Sequence, residues 1–71
     1  MTQAEKLAGL EEIFEVENGT LKPETPLASL RWDSMAMLSV IAFVNEHFGK
    51  RIAGSQLKGF KTVGDILGVM I

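Results

Sequence analysis

The stretch Leu30-Arg31-Trp32-Asp33-Ser34-Met35-Ala36-Met37-Leu38, which continues through Phe48, decides the fold of this chain. Its part from Met35 to Val44 is almost wholly apolar, which predicts a helix packed against a core. Asp33 is a favoured N-cap residue, because its carboxylate can accept hydrogen bonds from the free amides of a first helical turn. The sequence therefore predicts a helix from Ser34 to about Phe48.

Ser34 falls at or beside the first position of this helix. Its hydroxyl is expected to point outward from the positive end of the helix dipole, where free N–H groups also favour an anion. A serine in this place is a natural site for a phosphate group. On these grounds alone, an ordinary serine at a helix start remains the alternative.

The segment before this stretch predicts a first amphipathic helix of roughly residues 3–15. Thr2 and Glu5 fit the capping-box pattern at its start, and Asn18-Gly19 is a turn signal expected to end it. The residues expected on its buried side recur at helical spacing: Ala4, Leu7, Leu10, Ile13 and Phe14. The charged residues are expected on other, solvated faces: Glu5, Lys6, Glu11, Glu12 and Glu15.

Residues 18–33 form a long connection with two prolines, Pro23 and Pro26. Three leucines in it are too apolar for a free linker: Leu21, Leu27 and Leu30. We expect them to pin the loop across the bundle, so that it is ordered and delivers the chain to Ser34. Long loops in compact domains are often functional.

The remaining apolar positions complete the predicted core. On the long helix we expect one face to hold Leu38, Ile41, Val44 and Phe48, with Val40 adjoining, while Met35, Ala36, Met37, Ser39 and Phe43 include positions outside it. Gly49 is the expected C-cap, Ile52 returns to the core, and residues 54–59 make a short helical turn. Thr62 and Asp65 form a further cap signature, before a last amphipathic helix with Val63, Ile66, Leu67 and Met70. The prediction is an all-α four-helix bundle with three main helices and one short one, as a single domain over residues 1–71.

Composition narrows the possible function classes. The chain has 71 residues, of which 46% are hydrophobic, and it has no cysteine, so a small ordered domain without disulfides is expected. The net charge of −2 makes neither nucleic acid nor an anionic membrane an obvious partner. No signal peptide and no apolar run of membrane-spanning length are recognisable, so we expect a cytoplasmic monomer.

The motif Asp33-Ser34-Met35 resembles the Asp-Ser-Leu attachment motif of acyl carrier proteins. The resemblance covers nearly the whole chain, because the helices, the Pro-containing loop and the later segments Glu46-His47-Phe48-Gly49 and 62–66 are also in register. It implies that Ser34 carries 4'-phosphopantetheine, which a separate magnesium-using phosphopantetheinyl transferase takes from coenzyme A. The arm's thiol would hold the cargo as a thioester, and Asp33 would help the transferase and cap the helix.

This chain departs from the common pattern of the family at several positions. Arg31 and Trp32 stand where glycine and a small or apolar residue usually precede the aspartate, and Met35 replaces leucine. The long helix also has Ala36, Ser39 and Asn45 where carriers of fatty-acid synthesis typically place acids. The lack of these acids favours a specialised lipid, polyketide or related pathway over bulk fatty-acid synthesis.

The sequence thus predicts a stand-alone acyl or aminoacyl carrier, not an enzyme, that meets a loading enzyme and downstream transferases or synthases. Because aromatic and methionine side chains are enriched at interface cores, the expected partner-binding residues are Arg31, Trp32, Met35 and Met37. For Trp32 the alternative is that it only plugs the loop against the bundle. For the whole chain the alternative is an unmodified helical protein-interaction module.

Overall fold

The computed structural model describes all residues, 1–71, and contains four α-helices and no strand. They are α1 (Gln3–Phe14), α2 (Ser34–Phe48), α3 (Gly54–Lys58) and α4 (Val63–Leu67). The predicted all-α fold with four helices is confirmed. Only α1 and α2 are long, because α4 ends after five residues at Gly68. The chain beyond Gly68 continues in tight turns that still bury Met70.

The start of α1 is the predicted capping box. The Glu5 amide donates to the Thr2 hydroxyl at 3.2 Å, and the Thr2 amide donates to the Glu5 carboxylate at 2.9 Å. The helix ends earlier than the turn signal suggested, at Phe14, because Glu15 adopts a left-handed conformation with φ of 58°. Gly19, with φ of 87°, makes its turn later in the loop.

The prediction that Glu11 lies on a solvated face of α1 is wrong. The residue is only 3% exposed, and one carboxylate oxygen, Oε2, accepts from the Gly19 amide at 2.7 Å and from the Leu21 amide at 3.1 Å. Burial of a charged group is compensated when backbone donors bind it directly. The carboxylate therefore fixes the start of the loop onto α1.

The core face of α2 differs from the predicted one. The buried residues are Ala36, Val40 and Val44, spaced four apart along the helix. Leu38 was predicted to be core but is 61% exposed, because two residues from Val40 amount to about 200° around the helix axis. Ala36, which was placed outside the core face, is buried.

The long loop is ordered, as predicted, and its leucines pin it to the core. Leu21 and Leu27 are buried and Leu30 is half-buried. The loop also pairs with the chain around the start of α4, where the Leu27 amide donates to the Lys61 carbonyl at 2.8 Å and the Gly64 amide to the Pro23 carbonyl at 2.7 Å. A Cβ on residue 64 would lie 3.0 Å from that carbonyl oxygen, so glycine permits this close approach.

The segment that receives the loop is itself held by the predicted cap of α4. The Asp65 carboxylate accepts from the amides of Lys61 at 2.8 Å and Thr62 at 3.1 Å. These hydrogen bonds, led by the one from the Lys61 amide, lower the pKa of Asp65 below its ordinary value. None of the helices combines the length and the apolarity needed to cross a bilayer.

Candidate functional site

Ser34 is the first residue of α2 and is exposed to solvent. The amides of Ser34 and Met35 donate no hydrogen bond to another group of the protein. They are the free N–H groups that every helix start leaves, and they add to the positive end of the dipole of a helix of 15 residues. The position is thus open to an enzyme and favourable for an anionic ester on the serine oxygen.

Asp33 fixes the geometry of this first turn. It has extended backbone angles, its side-chain Oδ1 accepts from the Ala36 amide at 2.9 Å, and its carbonyl accepts from the Met37 amide at 3.0 Å. The predicted N-cap is confirmed. Two hydrogen bonds to one residue hold the helix start, so the Ser34 side chain leaves the protein from a defined point.

Around Ser34 the four candidate partner-binding residues lie in different environments. Arg31 is exposed and its guanidinium lies 3.6 Å from the Glu15 carboxylate. Met35 is 71% exposed, whereas Met37 is half-buried against the core. Arg31 and Met35 line a cavity of about 290 Å³ together with Asp33 and with residues of α1 and α2, among them Phe14 and Ser39.

Trp32, the fourth candidate, is half-buried rather than free. Its ring packs against Phe14 with a centroid distance of 5.9 Å and an angle of 46° between the ring planes. Its indole N–H is shielded from solvent and has no hydrogen-bond partner. The ring also borders a second cavity of about 500 Å³, the Trp32 groove, which is lined by Leu27, Ala28, Leu30, Trp32, Phe60 and Lys61.

Leu38 is a surface residue that the sequence analysis assigned to the core. It lies three residues after Met35, so the two exposed apolar side chains are neighbours on one face of α2. The buried series that begins with Ala36 was the signal that could have found it. If Ala36 is counted as a core residue, the predicted buried face of α2 rotates about the helix axis. Leu38 then lies on the exposed face.

Asp33, whose carboxylate caps α2, is the acidic residue next to Ser34 in the sequence, and the histidine is remote. His47, the sole histidine, is 13 positions further along the same straight helix, which corresponds to about 20 Å. Its ring instead packs on Phe43 at a centroid distance of 4.4 Å. No three histidine or carboxylate side chains are grouped in a way that could hold a metal ion. The exposed serine can therefore be a substrate for an external enzyme.

This arrangement fits a phosphopantetheine arm. The serine is exposed, the neighbouring amides are free, and two cavities flank the residues immediately before it. The arm would supply the thiol that this cysteine-free chain lacks. Asp33 and the amides of Ser34 and Met35 are the groups that would lie nearest to its phosphate.

Known proteins match the chain over nearly its whole length. The family described as "Phosphopantetheine attachment site" matches residues 7–70. An acyl carrier protein of Renibacterium salmoninarum is 40% identical over 67 residues, covering 86% of this chain and 82% of the relative. One of Arthrobacter sp. (strain FB24) is 38% identical with the same coverage.

A further relative, the meromycolate extension acyl carrier protein of Mycolicibacterium smegmatis, is 34% identical over 71 residues, covering 93% of this chain and 72% of the relative. No solved structure matches the chain at a comparable level. The alternative of an unmodified interaction module is not favoured by these matches. The chain belongs to the acyl carrier protein family, whose members hold a covalently attached 4'-phosphopantetheine and are carriers rather than enzymes.

Proposed function

We propose that Ser34 is the attachment site and that residues 1–71 act as a stand-alone carrier, which presents acyl or aminoacyl groups to its enzymes. As a member of its family, the chain interacts with a phosphopantetheinyl transferase and with biosynthetic enzymes. The observation that carries the choice of Ser34 is its exposed position at the first residue of α2, behind the Asp33 cap. No other serine has this setting, since Ser29 and Ser55 lie in short helical turns and Ser39 lies within α2.

The attachment step needs only a nucleophilic oxygen from this chain. The Ser34 oxygen forms a bond to the phosphorus that carries pantetheine in coenzyme A, and the bond from that phosphorus to the departing adenosine bisphosphate breaks. The serine proton passes to a base of the transferase, because the neighbouring Asp33 carboxylate is occupied as the cap of the Ala36 amide. The product is a phosphodiester with one negative charge, which the free amides of the first turn of α2 favour.

The exposed face of α2 supports a docking surface for the partner enzymes. Met35 and Leu38 are 71% and 61% exposed, and α2 has only one carboxylate, Glu46. Methionine and large apolar side chains supply contact area without charge. We propose that Met35 and Leu38 contact the enzymes directly, with Arg31 at the edge, and that Trp32 and Met37 contribute through their partly exposed surfaces.

The name of one relative and the surface of α2 support a proposal for the pathway. A relative named for meromycolate extension is consistent with a specialised lipid pathway, and the nearly uncharged surface of α2 points the same way. We place the carrier in the cytoplasm, where a pantetheine thiol stays reduced. The proposal includes a monomeric carrier.

Intact-mass measurement tests the attachment site. With coenzyme A, magnesium and a broad-specificity transferase, the wild-type protein should gain one phosphopantetheine and Ser34→Ala should gain none. Ser39→Ala is the matched control, because it removes an exposed hydroxyl from the same helix and should be modified normally. Modification of a folded Ser34→Ala protein would disprove the assignment.

A further inference from the structure

The indole N–H of Trp32 is a buried hydrogen-bond donor that the folded protein does not use. It is the one buried side-chain nitrogen or oxygen in the structure without a partner. Packing against Phe14 requires an aromatic ring but no N–H, so a phenylalanine would serve that purpose without leaving a polar group unpaired. Buried polar groups in native proteins are nearly always paired, so this exception calls for an explanation, and a functional partner is one.

The Trp32 groove is where such a partner could reach the ring. The groove is walled by the apolar side chains of Leu27, Leu30 and Phe60 and is open to solvent on one side. Its rim includes Lys61, the one charged residue in the lining. An apolar groove bordered by a ring that carries one unpaired, shielded donor suits a ligand that is mostly apolar and has one hydrogen-bond acceptor.

The proposed attachment site lies within easy reach of this groove. Trp32 and Ser34 are two residues apart, so their Cα atoms are separated by at most about 7 Å. An arm on Ser34 can therefore fold back over Trp32 and place its far half in the groove. The arm has amide carbonyls along its length, and a thioester adds another at its end.

Resting on the proposed attachment at Ser34, we propose that the Trp32 indole N–H donates a hydrogen bond to a carbonyl of the loaded arm when the arm lies in the Trp32 groove. The acceptor enters between the side chains that shield the N–H, and the same shielding keeps water from competing for it. Two carbonyl sources are possible, the thioester of the cargo and the amides of the arm. In both cases Trp32 recognises a carbonyl and the groove accepts the apolar groups next to it.

A matched pair of cargoes tests the proposal on the wild-type protein. The transferase loads one sample with a hexanoyl thioester and another with a hexyl thioether, which has the same chain length but no thioester carbonyl. Because Trp32 is the sole tryptophan, the protein has a single indole N–H signal in a nitrogen-15 NMR spectrum. Intact mass confirms full loading, so a failure of the attachment itself is recognised separately as failure of the proposed function.

We expect the indole proton signal to move downfield on loading with the thioester and to move little with the thioether. The thermal midpoint should be about 4 °C higher for the thioester form than for the thioether form. In Trp32→Phe, which keeps the ring but has no N–H, this difference in midpoint should vanish. A downfield shift already present with the unloaded arm identifies an arm amide as the acceptor and supports the proposal equally.

Two results would overturn it. The first is an indole signal that stays at its apo position in the unloaded, thioester and thioether forms. The second is an equal shift for thioester and thioether with none for the unloaded arm, which would mean that an apolar tail disturbs the ring without a hydrogen bond. Both results come from the wild-type protein, so they do not depend on whether Trp32→Phe folds.

Discussion

The loop between α1 and α2 is held in opposite ways at its two ends. At its start, the Glu11 carboxylate is buried and accepts from the amides of Gly19 and Leu21, so the polar group there is paired. At its end, the Trp32 indole N–H is shielded from solvent and donates to nothing. Both residues are partly or wholly buried, yet only the first has its hydrogen-bonding capacity satisfied within the fold.

This difference separates stability from function along one segment. Glu11 lies in α1, far along the chain from Ser34, and only fixes the backbone of the loop, so its pairing can be complete. Trp32 lies two residues before Ser34, where a paired donor would be unavailable to anything attached there. Residues near a functional site often break a rule of stability that the rest of the fold obeys.

The largest expected effect is the loss of stability when the Glu11 carboxylate, which pairs with the start of the loop, is removed. Glu11→Ala should lower the free energy of unfolding by about 2–4 kcal/mol, because two backbone amides lose a charged acceptor. A domain of this size rarely has more than about 3–5 kcal/mol of stability, so the variant should be largely unfolded at moderate urea. Urea denaturation followed by circular dichroism measures this.

Glu12→Ala is the matched control for that experiment. Glu12 is the next residue of the same helix but is exposed, so its removal should change the free energy of unfolding by less than about 0.5 kcal/mol. If the two variants were equally stable, the Glu11 carboxylate would not hold the loop. The contrast between the two ends of the loop would then be lost.

Local signals let the sequence predict where three of the helices begin. The caps at Thr2, Asp33 and Thr62 depend on residues three apart in the chain, and all three are present in the structure. The same holds for the place of Ser34 at the start of α2. Each of these caps is formed by a side chain and backbone amides within one helical turn. The local sequence is therefore enough to predict it.

Two features that depend on contacts between distant segments were predicted wrongly. Glu11 was placed in solvent because nothing in α1 reveals that the amides of Gly19 and Leu21 will fold back onto it. The face of α2 was rotated because the small residue Ala36 faces the core while the larger Leu38 does not. Hydrophobicity ranks Leu38 first, but the packing of α2 against its neighbours decides the orientation.

The next largest effect is expected on partner binding, at the exposed face of α2, the helix that follows the loop. Leu38→Glu should weaken binding to a cognate partner enzyme about tenfold or more, because the new carboxylate would be buried without a partner in an apolar interface. The melting temperature should change little, since the side chain is 61% exposed. Surface plasmon resonance on the loaded carrier and its enzyme measures the affinity.

Glu46→Gln is the control on the same helix, and it should bind within about twofold of wild type. The affinity of the wild-type carrier should also vary little across a salt series, because exposed charge pairs are what salt screens over about 8–10 Å. A steep loss of affinity with salt, or a Leu38→Glu variant that binds normally, would contradict an apolar docking surface.

A smaller effect on the melting temperature is expected at low pH, through the Asp65 cap of α4. The lowered pKa of Asp65 means that its ionised form is stabilised by folding, mainly through the Lys61 amide. This contribution is complete above the ordinary pKa of an aspartate, about 4, and declines as the pH falls through the lower folded-state value. The melting temperature of the wild-type protein should therefore fall in this acid range.

Asp65→Asn removes that titration and should make the fall in melting temperature between pH 5 and pH 2 smaller than in wild type. Glu46→Gln, which removes an exposed carboxylate with no hydrogen bond in the fold, is the matched control and should behave like wild type. Identical acid profiles for Asp65→Asn and wild type would show that this cap does not respond to pH.

The smallest expected effect is at the unpaired end of the loop, and it is the sharpest test of the comparison. Trp32→Phe keeps an aromatic ring against Phe14 but removes the N–H. The smaller ring loses some packing, whereas removal of an unpaired buried donor recovers a cost of about 1–3 kcal/mol. Because the two terms oppose each other, the free energy of unfolding of the apo protein should stay within about 1 kcal/mol of wild type.

Trp32→Leu, which loses both the N–H and the aromatic contact with Phe14, should be clearly less stable than Trp32→Phe. If Trp32→Phe instead lost as much stability as Glu11→Ala, the indole N–H would be paired in solution, and both ends of the loop would serve stability alone.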